Sequence, residues 1–361
     1  MKPRTRAAEV RDMVPHDLEG VLTLYREIFG HAYAERFEAR YSWAHRDNLY
    51  PHNSPKWVVA DGDRIVGFLA AMPLPYTIAG QRVIAHTTCD YMVHPDFRFH
   101  GIKLMKQFFS ECANCVTCDD IEATKKVTEW LGAKTVTPMV TYLKVLNGRA
   151  LAASTRLAGL PEIVYASGTA LLKLADKALM AGSGGVHVEN VDDFDSRFDE
   201  FSDRTAKNIP ATVAKVRDFL RWRYGEKSPH SSRDIAVATS RDGSMLGYAI
   251  TYMSSEERPT GYVLDLQAER GPHEIRVTRS LLAHAARTLR ARGAVTMKYH
   301  AVDAPDSTTE SHMKRMGFLT RNRTNRVLMV KFSDPALQGI AEQPGNWNYR
   351  YGDAEVSHSL A

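Results

Sequence analysis

At 361 residues, with 44% hydrophobic and 25% charged side chains, the chain has the composition of a folded globular protein of one or two domains. The net charge of 47 − 42 = +5 suits an anionic small ligand and is too weak a bias to argue for nucleic acid. No uncharged apolar run reaches the ~18 residues that a membrane-spanning helix needs, and the basic N-terminus has no apolar stretch behind it, so the chain reads as cytoplasmic without a signal peptide.

In chain order, residues 17–29 place Leu18, Val21, Leu22, Tyr25, Ile28 and Phe29 on one helical face. A hairpin follows, with 57–60 and 64–70 joined through Asp61-Gly62-Asp63. A second hairpin joins 76–78 to 83–93 through Ala79-Gly80-Gln81. Residues 83–93 are rich in strand formers, and Pro95, which cannot donate to a ladder, ends them. Helical spacing resumes at Gly101, with Ile102, Met105 and Phe109 on one face of a helix over 101–114. A short strand near 115–118, a helix at 122–131 and strands across 135–146 complete the unit.

The same landmarks then recur. Trp43 is answered by Trp222, Pro51-His52 by Pro229-His230, Gly67 by Gly247, Asp90 by Asp265 and Gly132 by Gly317. Spacings near 180 residues, in unbroken order, indicate a tandem duplication. The expected division is a unit over 1–146, a linker over 147–190, a second unit over 191–335 and a tail over 336–361. In the linker, 170–180 read as an amphipathic helix and Ser183-Gly184-Gly185 as a flexible joint. Trp347, Tyr349 and Tyr351 imply that the tail docks. The expected fold class is α+β, each unit a mixed, mostly antiparallel sheet flanked by helices.

The chemistry concentrates where the 83–93 strand turns into the next helix. The first-turn amides of a helix have no intrahelical acceptor and face an anion well. Arg98, His100 and Lys103 add positive charge there. The sequence Arg98-Phe99-His100-Gly101-Ile102, following a strand, resembles the core motif of the GNAT acyltransferase superfamily, with Lys103 in place of the motif's last small residue.

The resemblance implies a tandem GNAT acyltransferase with acetyl-CoA or another acyl-CoA as co-substrate. The pyrophosphate would lie on Arg98, Phe99, His100, Gly101, Ile102 and Lys103, and the thioester arm would run along the backbone of Met92 and Val93. The acyl group would pass by direct attack to an amine of a small molecule, glycan or peptide. The family's tyrosine acid would fall at Thr128, which leaves that role to Tyr91 or Tyr142. Two other readings share the pattern: a non-catalytic binding or scaffold protein, and an aminoacyl-tRNA-dependent transferase.

Asp90 is the candidate catalytic base, as an ionisable group in an otherwise apolar strand whose alternation places it beside His86, Thr88 and Met92. The competing reading is a structural aspartate that accepts from loop amides, and the matched Asp265 favours it. His86 and His94 are further base candidates. The second unit has Ala268-Glu269-Arg270-Gly271-Pro272 at the motif's place, where Pro272 removes an amide and Glu269 and Glu274 add negative charge, so it is expected not to bind the coenzyme. Cys112, Cys115 and Cys118 are spaced like metal ligands, but no fourth ligand pair follows. Reduced, half-buried thiols, with no metal, are the expectation.

Overall fold

A computed structural model describes residues 8–119, 121–148, 169–174, 176, 185–255, 259–302, 309–321 and 326–360. Its first half runs β1 (Glu9–Asp12), α1 (Leu18–Phe29), α2 (His31–Tyr41), β2 (Lys56–Asp61), β3 (Arg64–Ile78), β4 (Gln81–Val93), α3 (His100–Glu111), β5 (Asn114–Asp119), α4 (Glu122–Trp130) and β6 (Lys134–Val145). The second half opens with β7 (His187–Val191), α5 (Ser196–Ala206), β8 (Ala211–Val213), α6 (Arg217–Tyr224), β9 (Asp234–Thr239), β10 (Met245–Met253) and β11 (Thr260–Ala268). It continues through α7 (Glu274–Ala291), β12 (Thr296–Val302), α8 (Thr309–Arg315), β13 (Leu319–Arg321) and β14 (Val327–Phe332). The C-terminal segment adds α9 (Pro335–Ala341) and β15 (Trp347–Asn348).

The two halves run through a similar series, an edge strand, two helices, three antiparallel strands, a helix, a parallel strand and another helix, with β8 set between the two helices of the second half. They meet around a local two-fold relation. The Trp43 and Trp222 rings stack at 4.9 Å and 9°. Trp43 Nε1 donates to Trp222 O at 2.8 Å, and Trp222 Nε1 donates to Trp43 O at 3.0 Å. Such reciprocity, residue for residue, is what a self-complementary interface produces; here it lies within one chain.

The main sheet path is β1-β2-β3-β4-β5-β14-β6-β12-β11-β10-β9-β7. The halves share strands. β14, late in the chain, sits between β5 and β6, while the C-terminal part of β6 (Met139–Val145) pairs with β12. Helices cover both faces: α3 packs on β2 and β3, and α7 on β10 and β11. One core cluster spans both halves; a second gathers under α7 and a third under α3. No described helix is long and apolar enough to cross a membrane.

Two sequence-based expectations change. The hairpins expected around 64–70 and 76–78 share one strand, β3, which runs unbroken through Pro73 and Pro75. Both prolines oppose β4, while the strand's other side pairs with β2 only up to Ala70 and with β8 only from Tyr76. They therefore sit where no ladder asks for their missing N–H. The helix expected over 101–114 ends at Glu111, because residues from Asn114 are drawn into the β5–β14 ladder. Of the expected linker helix, 170–174 and 176 are helical; residues 175 and 177–180, with Ser183 and Gly184, lie outside the described residues.

Candidate active site

β4 and β5 are parallel and share one register pair, His86 with Cys115. Beyond it they part. On its other side β4 slips against β3: Ala70 faces Cys89 and Phe68 faces Met92, so three steps on β4 match two on β3. The extra residue is a bulge at Asp90–Tyr91. Asp90 takes φ 55°, a left-handed conformation that a side-chain-bearing residue rarely adopts.

The bulge resets the alternation of the strand. Ala85, Thr87 and Cys89 are buried in phase, and Met92 then takes the next buried place. The expected common face of Asp90 and Met92 is thereby broken. It also separates the two parts of Asp90: the side chain is 2% exposed, while the residue as a whole stays partly accessible.

That carboxylate is spoken for. Arg40 of α2 donates to Asp90 Oδ1, His45 Nε2 stands 3.9 Å from Oδ2, and the Cys89 thiol lies 3.4 Å from Oδ2. Burial pushes the Asp90 pKa up, but Arg40 and His45 outweigh it and hold the carboxyl below its usual range. His45 and Cys89 are pushed the other way by burial, toward neutral imidazole and neutral thiol. His45, Cys89 and Asp90 offer three ligand-type atoms within 4.8 Å. The Arg40 guanidinium pairs with Asp90 of the three.

Between the parted strands lies a cleft of about 260 Å³. Tyr25, Phe29 and Arg40 wall one side. Asp90, Tyr91 and Met92 come from β4, and Cys118, Asp119 and Ile121 from the end of β5 and the turn after it. Glu355, from the C-terminal segment, also lines it. Burial pushes the Glu355 carboxyl up to about 8, with Asp90 and Asp119 adding to the rise and Arg40 and Arg223 opposing it.

The expected anion loop follows directly. Phe97 N–H donates to His94 O at 2.8 Å and Gly101 N–H to Arg98 O at 3.2 Å, so the loop winds tightly into α3. Phe99 (72% exposed), Ile102 and Lys103 face outward, and the Arg98 guanidinium lies 5.2 Å over the Phe99 ring. His100 differs from expectation: its ring nitrogens lie 3.3 Å from Phe97 O and 3.1 Å from Ala8 O, so the ring ties the loop to the N-terminal strand. Gly101 lies under the tip of the Tyr91 side chain. A Cβ there would stand 2.3 Å from the Tyr91 hydroxyl and 3.7 Å from Val93 Cγ2.

The other base and acid candidates sit elsewhere. His86 Nε2 is 2.8 Å from Asn53 O, and His94 Nδ1 accepts from Asp96 N–H at 3.3 Å. Thr128 is buried, and Tyr142 lies in the core beneath α7. Tyr91 alone of the expected acids lines the cleft, and burial raises its pKa. The cysteines are all buried and free. Cys112 and Cys115 join the core under α3, while Cys118, on the opposite phase of β5, faces the cleft.

Residues 9–115 match the family model of the acetyltransferase (GNAT) domain. Over those residues the chain is similar to a GNAT domain. A search of curated proteins gives no match. Among solved structures, the chain resembles a probable N-acyltransferase from Enterococcus faecalis V583 at 11% identity, TM-score 0.60, over 91% of this chain and 73% of that one. It resembles a GCN5-related N-acetyltransferase from Kribbella flavida at 15% identity, TM-score 0.59, over 91% and 72%. It also resembles Saccharomyces cerevisiae N-myristoyltransferase, a structure with bound myristoyl-CoA, at 14% identity, TM-score 0.55, over 95% and 86%. At such identities the likeness is one of fold. The GNAT domain match covers β1 to the start of β5, which includes Asp90 and the whole loop at the head of α3.

Sequence reasoning missed Arg40, His45 and Glu355. Arg40 and His45 flank the Trp43 landmark on α2 and the turn after it. Glu355 follows the aromatic series of the tail, whose docking was the one signal that pointed toward it.

Proposed function

We propose that the GNAT domain binds an acyl-coenzyme A and transfers its acyl group directly to an amine. The observation that carries this reading is the parting of β4 from β5 beyond His86 and Cys115, with the Asp90–Tyr91 bulge opening strand backbone into the cleft. The pantetheine arm would follow Met92 and Val93. The pyrophosphate would rest on the loop at the head of α3, with Arg98 and Lys103 as the nearby positive charges. A backbone N–H at the bulge is suited to polarise the thioester carbonyl.

Asp90 fits positioning better than proton transfer. A buried carboxylate held below its usual pKa by a half-buried guanidinium is a weak base. Its left-handed backbone sets the bulge, and its ion pair locks α2 against β4. The reading is tested by calorimetry with acetyl-CoA and by thiol release from it. Gly101→Ala is expected to displace Tyr91 and weaken binding by about tenfold, the equivalent of ~1.4 kcal/mol. Unchanged affinity in that variant would contradict the placement of the coenzyme.

A further inference from the structure

If Asp90 is neutralised by Arg40, the cleft must draw its proton acceptor from elsewhere. Only one of its other carboxylates is delivered by a device that spans the molecule. The C-terminal segment is anchored on both sides of Glu355 by one buried arginine of the second half. Arg223, fully buried on α6, donates from Nε to Gly352 O at 2.7 Å and from Nη2 to Ala354 O at 3.0 Å and Ser357 Oγ at 3.3 Å. Its Nη1 lies 2.7 Å from His358 Nε2. His230 Nε2, 2.9 Å from Ser357 O, adds a second hold, and Asp353 is paired with Lys215 at 3.0 Å. A segment fixed at 352, 353, 354, 357 and 358 leaves residue 355 little freedom, and it lies in the cleft.

Building on the acyl-CoA reading above, we propose that Glu355 is the general base of the GNAT domain, and that its partner is an acceptor bearing a cationic amine. The geometry has three parts. Glu355 lines the same cleft as the bulge and Met92, where the thioester would lie. Among the described residues it forms no salt bridge, in contrast to Asp90. The groups that face it are Asp90 on β4, Asp119 on β5, Arg40 on α2 and Arg223 on α6, with the Cys89 and Tyr25 groups behind Asp90. Arg40 is committed to Asp90 and Arg223 to carbonyls of the C-terminal segment, so the carboxyl groups that line the cleft beyond that ion pair are Asp119 and Glu355. Tyr25, Phe29, Tyr91 and Ile121 provide apolar walls. A cleft of this composition favours an ammonium on an apolar or aromatic body.

The raised affinity of Glu355 for a proton, to about 8, matches the task of taking one from an ammonium near neutral pH. The ammonium gives one proton to the Glu355 carboxylate. The freed nitrogen lone pair forms the C–N bond at the thioester carbonyl carbon, and the C–S bond breaks with its electrons on sulfur. The second proton, shed by nitrogen as that bond forms, neutralises the departing thiolate. The products are an amide, coenzyme A thiol and one proton on Glu355.

The test uses the full chain with acetyl-CoA, and water or tyramine as acceptor, in wild type and Glu355→Gln. Calorimetry reports coenzyme binding, and thiol release is followed against pH. Wild type is expected to bind acetyl-CoA and to release thiol with a rate that rises through an inflection near 8. Glu355→Gln should bind with unchanged affinity, lose the inflection and fall in rate by about 10²–10⁴-fold. Thiol release in Glu355→Gln at the wild-type rate and pH profile overturns the role of Glu355. A rate no higher with tyramine than with water overturns the cationic acceptor. Failure of wild type to bind acetyl-CoA overturns the underlying acyl-CoA reading instead.

Discussion

In the first half the strands that part around Asp90 leave a cleft; in the second half the matching strands part and the chain's own C-terminal segment takes up part of the gap. β11 and β12 pair in parallel from Thr260–Thr296 to Val263–Tyr299 and then diverge. Into that gap runs the C-terminal segment. Val302 N–H donates to Tyr349 O at 3.0 Å, Ala301 bridges Arg350, and Arg350 Nε donates to Leu266 O at 3.2 Å. β11 also carries a bulge next to its aspartate, between the pairs Ile250–Asp265 and Thr251–Val263. The backbone device is therefore present twice; in the second half the C-terminal segment occupies part of the groove, and a cleft of about 250 Å³ remains beside Arg270, Gly271 and Arg350.

The two aspartates carry the same lesson. Asp265 is fully buried, accepts from Lys215 Nζ at 2.6 Å and from the Tyr248 hydroxyl at 3.1 Å, and shares its lysine with Asp353. Asp90 has a guanidinium that is 22% exposed and a cleft beside it. One aspartate is enclosed in a closed network; the other stands at the edge of a site.

The largest effect is expected from opening the closed network. Lys215→Met leaves two buried carboxylates without their cation and should cost about 3–5 kcal/mol in urea unfolding. A loss below ~1 kcal/mol would mean that the network is not what holds the C-terminal segment in the second groove. Asp90→Asn should cost less, about 1–3 kcal/mol, because Arg40 can turn to water. Its folded pKa is depressed, so the stability it adds is present above the ordinary value of 3.8 and lost on acidification through the folded pKa. Equal losses in Asp90→Asn and Asp265→Asn would erase the contrast between the two sites.

Glu355 behaves with the opposite sign. Its pKa is raised on folding, from 4.5 to about 8, so the native state holds more protons than the unfolded chain across that window. Stability should therefore fall as pH rises from 4.5 to about 8, and Glu355→Gln should flatten that slope. An identical slope in the variant would place the carboxyl in ordinary solvent. The smallest effect is expected on the outer loop. Arg98→Ala removes one exposed charge from the loop proposed to hold the pyrophosphate and should weaken coenzyme affinity by about 0.5–1 kcal/mol, more at low salt than at high. Affinity that does not respond to salt would argue against phosphates on this loop.

Much of this was legible in local sequence. The strand–loop–helix from 83 to 109, the Asp61-Gly62-Asp63 turn and the Trp43–Trp222 correspondence each rest on neighbouring residues or on a repeat, and the structure has them all. What escaped were features set by distant partners. Nothing in Cys89-Asp90-Tyr91 distinguishes a bulge from regular alternation; the slip is fixed by β3 packing across it. The exchange of β14 and β6 between halves depends on strands far apart in sequence. Arg40 and Glu355 look like ordinary surface residues until α2 and the tail fold over the cleft.

The most direct measurement is a calorimetric titration of the full chain with acetyl-CoA, repeated for Arg98→Glu in the first half and Arg270→Glu in the second. Arg270 is the second half's counterpart on the loop, held by Asn208 O at 3.0 Å. One site per chain is predicted, weakened in Arg98→Glu and unchanged in Arg270→Glu. Two sites, or a single site that responds to Arg270→Glu and not to Arg98→Glu, would contradict the assignment of the coenzyme to the first half's groove.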